Sequence, residues 1–382
     1  MTNRRDTGQR DRGRREAQAS EQERPAPSET AAGWLGPQRG QPQGRWGVRV
    51  RDKPVRIGYA YSVDLRDTLL GEIRETTRGE PVVVAFSGGL DSTVTAALAR
   101  DALGPGHVLL VTVNMGQYAY TRGNEIVLEV AERLGLQQRC LLGQFKQHRV
   151  QAAGPACNRC TREIKLGMVK AVSGGRLVLT GANRSDTWGQ MGLKVCNDYY
   201  APLLDLDKPR ILALADAMDV RPPRIGENPG REGCKLKHLL KPLAAPEYHG
   251  RAVARANEVV LSVLRDAGVR PELANVKIIG PLGRNIGLVN VRPAPTDAVR
   301  DRLRDALLAI PELDEVHVVD GPLVLVAKAS PAILNDPHAR YWIERGRMAP
   351  DFAAPITVEW RPTSNNRLGT FQVVGFRPTA PA

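Results

Sequence analysis

The sequence has no long apolar segment and few aromatic residues. None of the apolar runs in its 382 residues approaches the roughly 20 residues that a membrane-spanning helix needs. Aromatic side chains make up only 5% of the chain, so stacking on the bases of single-stranded nucleic acid is not an obvious function. The Arg-rich amino terminus has no apolar stretch behind its charges, which distinguishes it from a secretory signal. These absences predict a soluble, cytoplasmic protein with no membrane partner.

Acidic residues are fewer than basic ones. The chain has 41 Asp and Glu against 54 Lys and Arg, a net charge of +13. A basic chain favours anionic partners such as nucleotides, pyrophosphate or RNA, although an arginine-rich composition alone would give the same balance. Residues 1–55 are rich in Arg, Gln, Gly and Pro and have no sustained apolar period, so they are expected to form a disordered basic tail.

The rest of the chain shows two patterns of secondary structure. Within residues 56–245, short runs of β-branched residues alternate with helical stretches, which predicts an α/β fold with a doubly wound parallel sheet. Residues 246–272 are expected to be a helical linker. Residues 273–382 are predicted to form a smaller α+β domain of ferredoxin-like order. Its strands are expected at 286–291, 315–319, 323–327, 356–360 and 371–376, and its helices at 296–309 and 337–345.

The strongest chemical signal is a glycine-rich string between the first predicted strand and helix. It reads Ser87-Gly88-Gly89-Leu90-Asp91-Ser92-Thr93. Two glycines allow a sharp turn, and the following helix directs its positive end at the same point. The hydroxyls add donors, and Asp91 can hold Mg²⁺ or cap the helix. No Gly-Lys-Ser/Thr follows, which excludes a P-loop NTPase motif, and an ordinary glycine turn is the remaining alternative.

This string resembles the pyrophosphate-binding loop of the PP-loop ATP pyrophosphatase superfamily, also called adenine nucleotide alpha hydrolases. The resemblance covers roughly residues 80–245 and implies a Rossmann-like domain that splits ATP, with Mg²⁺, to AMP and pyrophosphate while adenylating a substrate oxygen. It implies a catalytic role for Asp91. The nucleotide-binding residues that it implies are Ser87, Gly88, Gly89, Asp91, Ser92 and Thr93, with Asn114 after the second strand and Gly181 and Asp186 in a later segment.

Three cysteines form a second candidate site. Cys157 and Cys160 make a Cys-x-x-Cys pair, and Cys234 follows far downstream. The pair can reach one metal, and a third thiol would complete a [4Fe-4S] cluster with one open iron. Zinc would want a fourth protein ligand, and a thioredoxin-like role would want a different position of the pair. The other cysteines, Cys140 and Cys196, are interpreted as buried small apolar residues.

The three thiols resemble the iron–sulfur group of PP-loop sulfur transferases, the tRNA 2-thiolation enzymes and LarE-like proteins. The resemblance implies catalysis at Cys234, either as a cluster ligand or as a sacrificial sulfur donor. The basic run Lys235, Lys237, His238 and Lys241 beside it either steers an anionic substrate or is a plain basic surface.

Two enzymatic functions remain, and the cysteines discriminate between them. One is an ATP-dependent sulfurtransferase acting on an anionic acceptor, a small molecule or tRNA, with sulfur from a donor protein or free sulfide. The other is an amide ligase of the GMP, NAD or argininosuccinate synthetase type, which needs no cysteine trio. A nucleotide-sensing or RNA-binding module is a third alternative, which the intact loop disfavours. A homodimer through the carboxyl-terminal domain is also expected.

Overall fold

The computed structural model describes residues 57–185, 193–230 and 232–379, with side chains described from residue 64 onward. The predicted tail at 1–55 lies outside the described residues. Among the helices of the described part, none has both the length and the apolar character that crossing a membrane requires.

A mostly parallel sheet forms the centre of the first half of the chain. Its strands lie in the order β3-β2-β1-β4-β6-β5, and every neighbouring pair is parallel except the β5–β6 hairpin. The valines of β1 are fully buried, as strands covered on both faces require. The predicted α/β class is therefore confirmed. The strands are β1 (Val82–Ala85), β2 (Val108–Asn114), β3 (Gln137–Leu142), β4 (Val178–Leu179), β5 (Val195–Cys196) and β6 (Tyr199–Tyr200).

Helices cover both faces of this sheet. On one face, apolar side chains of α1, α2, α3 and α7 share a core with β1 and β2. On the other face, Val169 of α6 packs against Val83 and Val111. A π-helical turn at Thr161–Leu166 joins α5 to α6. The helices of this half are α1 (Ile57–Thr77), α2 (Leu90–Leu103), α3 (Thr121–Arg133), α4 (Gln144–Gln151), α5 (Cys157–Cys160), α6 (Gly167–Ala171) and α7 (Lys208–Ala217).

The second half contains a long amphipathic helix and two three-stranded sheets. The predicted α+β class is confirmed, but the strands form two sheets, β7-β8-β9 and β11-β10-β12, whereas a ferredoxin-like order describes one. The difference arises because β7, which the sequence analysis did not predict, is buried along its whole length and pairs with β8. The elements are α8 (Arg251–Asp266), β7 (Leu273–Ile279), β8 (Ile286–Arg292), α9 (Asp297–Leu308), β9 (Glu315–Val318), β10 (Leu323–Ala329), α10 (Pro331–Leu334), α11 (Pro337–Ile343), β11 (Ile356–Pro362) and β12 (Phe371–Pro378).

A short segment of the chain connects these two sheets. The amide of Leu240 donates to the carbonyl of Ile278 in β7 at 3.0 Å, and the amide of Val373 in β12 donates to the carbonyl of Leu240 at 2.8 Å. Leu240 lies six positions after Cys234. The polypeptide that leaves the candidate thiol site is therefore held by backbone hydrogen bonds to both sheets.

We expect Asn257→Ala to destabilise the fold by about 3 kcal/mol, because Asn257 replaces a missing strand neighbour on one edge of β7. Its buried side chain accepts from the amide of Val276 at 2.9 Å and donates to the carbonyl of Val276 at 3.0 Å. Denaturant unfolding measures the loss. The exposed Asn366→Ala is the control and should stay within about 0.5 kcal/mol of wild type. Equal stability of the two variants would contradict this role.

Candidate functional site: a phosphate-binding loop and three thiols

The glycine-rich loop is held in shape by its own hydroxyls. Ser92 Oγ donates to the carbonyl of Gly89 at 3.0 Å and accepts from the amide of Ser87 at 3.2 Å. Gly88 has a φ of +71°, and a Cβ atom there would lie 2.8 Å from a methyl carbon of Val127 in α3. Glycine is therefore required at this position for both its backbone angle and its lack of a side chain.

The loop lies where the strand order of the sheet reverses. β1 pairs with β2 on one side and with β4 on the other, so the loops after β1 and β4 flank the point where open α/β sheets bind ligands. Gly181, two residues after β4, is packed so tightly that a Cβ atom would lie 2.8 Å from the carbonyl carbon of Asp91. The structure thus brings together the predicted residues of these two loops. Asp186 lies outside the described residues.

Three polar atoms at this point are buried and have no hydrogen-bond partner among the described residues. They are Asp91 Oδ1, Thr93 Oγ1 and Thr180 Oγ1. The other oxygen of Asp91 is ion-paired with Lys208 Nζ, from the first turn of α7. Because buried polar groups in folded proteins are almost always paired, three such atoms in adjoining segments indicate a place for a polar ligand. A carboxylate and two hydroxyls suit a Mg²⁺-bound polyphosphate.

Asn114 uses its side chain within the protein. It ends β2, and its Oδ1 accepts from the amide of Gly116 at 2.7 Å while its Nδ2 donates to Asn124 Oδ1 at 3.2 Å. These bonds fix the turn after β2 and tie it to α3. The predicted contact of Asn114 with the nucleotide stays a prediction.

Two of the three thiols of the second candidate site, Cys160 and Cys234, converge on one amide. Gln147 Nε2 lies 3.6 Å from Cys160 Sγ and 3.4 Å from Cys234 Sγ, so both sulfur atoms face the same small space. Burial raises the pKa of Cys160 to about 11, and the neighbouring thiols of Cys234 and Cys157 raise it further. No group of three or more His, Cys, Asp or Glu in the described part of the chain has the spacing to hold a single metal ion.

Gln147 is the residue of this site that the sequence analysis missed. It lies in α4, a short helix without a pronounced apolar face, and no motif marks it. Its Oε1 is buried and has no partner among the described residues. Lys165 also acts on the site, because its charge lowers the pKa of Cys234 while burial, the larger effect, raises it. Only the tertiary fold shows that Gln147 belongs with the thiols, whereas Lys165 lies one turn after Cys160 in the sequence.

The basic run beside Cys234 is neither a surface nor a substrate-steering patch. Lys235, Lys237, His238 and Lys241 are all buried. Lys235 Nζ lies 2.7 Å from Glu258 Oε1 of α8, and Lys241 Nζ donates to the carbonyl of Arg284 at 2.7 Å. Both interpretations of this run were wrong, because the chain folds back under α8 and the carboxyl-terminal sheets, where every cation has a partner.

The prediction for the remaining cysteines also fails for Cys140. Cys140 is exposed, because β3 is the edge strand of the sheet, and Cys196 is half-buried in the β5–β6 hairpin. Neither contributes to the cluster of thiols around Gln147.

One comparison with known proteins finds a match, over the part of the chain that contains the glycine-rich loop. Residues 62–229 match the family model described as NAD synthase. The matched range contains the glycine-rich loop, Cys157 and Cys160, and it ends before Cys234. A comparison with curated proteins finds no match. The family match supports placing residues 62–229 in the PP-loop, or adenine nucleotide alpha hydrolase, superfamily. The class of protein that it supports is an ATP-using enzyme, for which ATP and Mg²⁺ are plausible ligands.

We expect Gly181→Ala to weaken ATP binding about 10-fold or more while the protein stays folded. The added methyl group would press on the backbone of Asp91 and Ser92, where it would lie 2.9 Å from the amide nitrogen of Ser92. Isothermal titration calorimetry with Mg²⁺ and ATP measures the affinity. Gly71→Ala, on a surface of α1 with no neighbouring atom within 4 Å, is the control and should bind like wild type. Wild-type affinity in Gly181→Ala would show that the nucleotide binds elsewhere.

Proposed function

We propose that the protein is an ATP-dependent sulfurtransferase, which adenylates a carbonyl oxygen of an acceptor and replaces that oxygen with sulfur. The observation that carries the proposal is the convergence of Cys160 and Cys234 on the Gln147 amide. Two further contacts support the proposal, because they join segments next to Gln147 and Cys234 to the turn after β2. The amide of Gly143, just before α4, donates to the carbonyl of Asn114 at 2.8 Å, and Lys235 Nζ donates to the carbonyl of Gln117 at 3.1 Å.

The loop and its neighbours would perform the activation step. Backbone amides and the α2 amino terminus would bind the β- and γ-phosphates, and Asp91 Oδ1 would receive Mg²⁺. Lys208, paired with Asp91, supplies a positive charge beside the same phosphates. The acceptor carbonyl oxygen attacks the α-phosphorus, and pyrophosphate leaves. A sulfur nucleophile then attacks the activated carbon, and AMP leaves with the oxygen.

A [4Fe-4S] cluster held by the three cysteines is proposed in preference to a single metal ion, because no group of ligands in the described residues has the spacing to hold one ion. Sulfur ligands are those that iron–sulfur clusters use, and Gln147 already directs an amide at two of them. The cysteine sulfur atoms that hold a cluster also lie farther apart than the ligand atoms that hold one metal ion. When bound by Cys157, Cys160 and Cys234, it would supply sulfide beside the activated carbon. Alternatively, Cys234 itself would supply the sulfur as a sacrificial donor. A donor protein or free sulfide would then replace the sulfur lost from the cluster or from Cys234.

The acceptor is proposed to be anionic, either a small molecule or tRNA. The protein is further proposed to form a homodimer through its carboxyl-terminal domain and to be located in the cytoplasm. None of these features enters the chemistry of the two steps, which depends on the loop and on the thiols.

An amide ligase is the second candidate, and the NAD synthase match favours it. A ligase would use the same loop to form an adenylate, which an amine would then attack in place of sulfur. The cysteines would have no role in that reaction. The match includes Cys157 and Cys160 and ends before Cys234, so one of the three cysteines that distinguish the two candidates lies outside it.

We expect Asp91→Ala to reduce the formation of AMP and pyrophosphate about 100-fold or more, because it removes a charged group from the phosphate site. The reaction is followed by chromatography of labelled ATP. Asp101→Ala, at the far end of α2 where Asp101 pairs with Arg66 at 2.8 Å, is the matched control and should retain the wild-type rate. Normal turnover by Asp91→Ala would remove the basis for both candidate enzymes.

We expect Cys157→Ser, Cys160→Ser and Cys234→Ser each to abolish sulfur transfer while ATP is still bound. Anaerobically purified wild type should contain iron and absorb near 400 nm, and the three variants should not; Cys140→Ser is the control. If iron is absent from wild type and sulfur transfer requires only Cys234, the thiol itself is the donor. If all the cysteine variants form product with an amine, the protein is a ligase and the sulfurtransferase proposal fails.

A further inference from the structure

We propose that a buried row of charged side chains positions the loop that carries Cys234, and that this is the contribution of the carboxyl-terminal half to the active site. The row, called here the charge ladder, consists of Asp351, Lys277, His238, Glu227 and Lys237. The positioning of the Cys234 loop by these side chains does not depend on the proposed function, whereas its consequence for sulfur delivery rests on that function.

The charge ladder is deeply buried. The side chains of Lys277 and Asp351 are 1% and 2% exposed, and that of Glu227 is fully buried. Ions are expensive to remove from water, and they are tolerated in an interior only where each has a partner of opposite charge or a hydrogen bond. Because each buried charge must keep its partner, the segments that contribute these side chains are held in fixed relative positions.

The contacts along the ladder join two pairs of oppositely charged groups through the imidazole of His238. Lys277 Nζ lies 3.0 Å from Asp351 Oδ2 and 2.8 Å from His238 Nδ1. On the other side of the imidazole ring, His238 Nε2 lies 3.4 Å from Glu227 Oε2. The other oxygen of Glu227 pairs with Lys237. The ladder thus runs from the loop before β11, through β7, to both sides of Cys234.

The ladder reaches the backbone next to the thiol. Glu227 Oε1, at one end of the Cys234 loop, accepts from the amide of Gly233 at 3.0 Å. The carbonyl of Glu227 accepts from the amide of Ala274 in β7, also at 3.0 Å. Lys237 and His238 follow Cys234 within four residues. Cys234 is therefore bracketed by residues that are anchored, through Glu227 and Lys277, on the β7 strand.

Lys241 provides a matched control for the effect of a buried lysine. It is as buried as Lys277, and its ammonium donates to the carbonyls of Pro281 and Arg284 and to Asn285 Oδ1. These partners lie in the turn between β7 and β8, outside the Cys234 loop. Loss of Lys241 should weaken the fold without moving the thiol, and loss of Lys277 should do both.

The test compares Lys277→Met, Asp351→Asn and Lys241→Met in the full chain. Site-resolved mass spectrometry measures the rate of alkylation of each cysteine by iodoacetamide, and hydrogen exchange measures the amides of residues 232–240. Both ladder variants should raise the alkylation rate of Cys234 and the exchange rate of these amides roughly 10-fold, with the rate of exposed Cys140 unchanged. Lys241→Met should leave both local rates as in wild type, whatever its unfolding midpoint.

The milder Asp351→Asn keeps the test usable if Lys277→Met does not fold. Unchanged rates in the ladder variants would overturn the proposal, and so would an equal rise in Lys241→Met, which would indicate a general loss of stability. Neither measurement requires iron, ATP turnover or an acceptor, so failure of the sulfurtransferase proposal is a separate result. If that proposal holds, Asp351→Asn should lower the yield of thiolated product per AMP formed.

Discussion

Parallel pairing of β1 with both β2 and β4 is the constraint on which the rest of the structure depends. It brings the carboxyl ends of three strands to one edge of the sheet, so that the chain must turn there three times. The turns carry Ser87–Thr93, Asn114–Tyr118 and Thr180–Ser185. Gly181 permits the first and third turns to touch, and Gly88 permits the first to pack on α3. Polar atoms left unpaired at that contact are what makes it a candidate binding site.

The second half of the chain acts on this edge by burying charge. Apolar residues of α8, β7 and β8 share a core with Met115, Cys160 and Ile164, so this half covers the turn after β2 and the helical segment after Cys160. The cations beside Cys234 are enclosed by the same packing, and each is paired inside it. Burial also raises the pKa of both Cys160 and Cys234.

How much could be predicted depended on whether a feature is local in sequence. The loop at Ser87–Thr93, the strand at Gln137–Leu142 and the two-part fold follow from patterns within a few residues, and the structure confirms them. Gln147 and Lys277 could not be found in this way. Their roles depend on contacts with residues 39 to 87 positions distant, which only the packed fold brings together. For the same reason the basic run after Cys234 looks like a surface in the sequence and is interior in the structure.

The central claim is that ATP activation and sulfur delivery share one space, and a crystal structure of the complex with Mg²⁺ and a non-hydrolysable ATP analogue tests it most directly. The account predicts that the β- and γ-phosphates lie on the amides of Ser87–Thr93. It also predicts that the α-phosphorus faces Cys160 and Cys234, with no protein atoms between them. A nucleotide bound in this loop but separated from the thiols by packed side chains would contradict the claim.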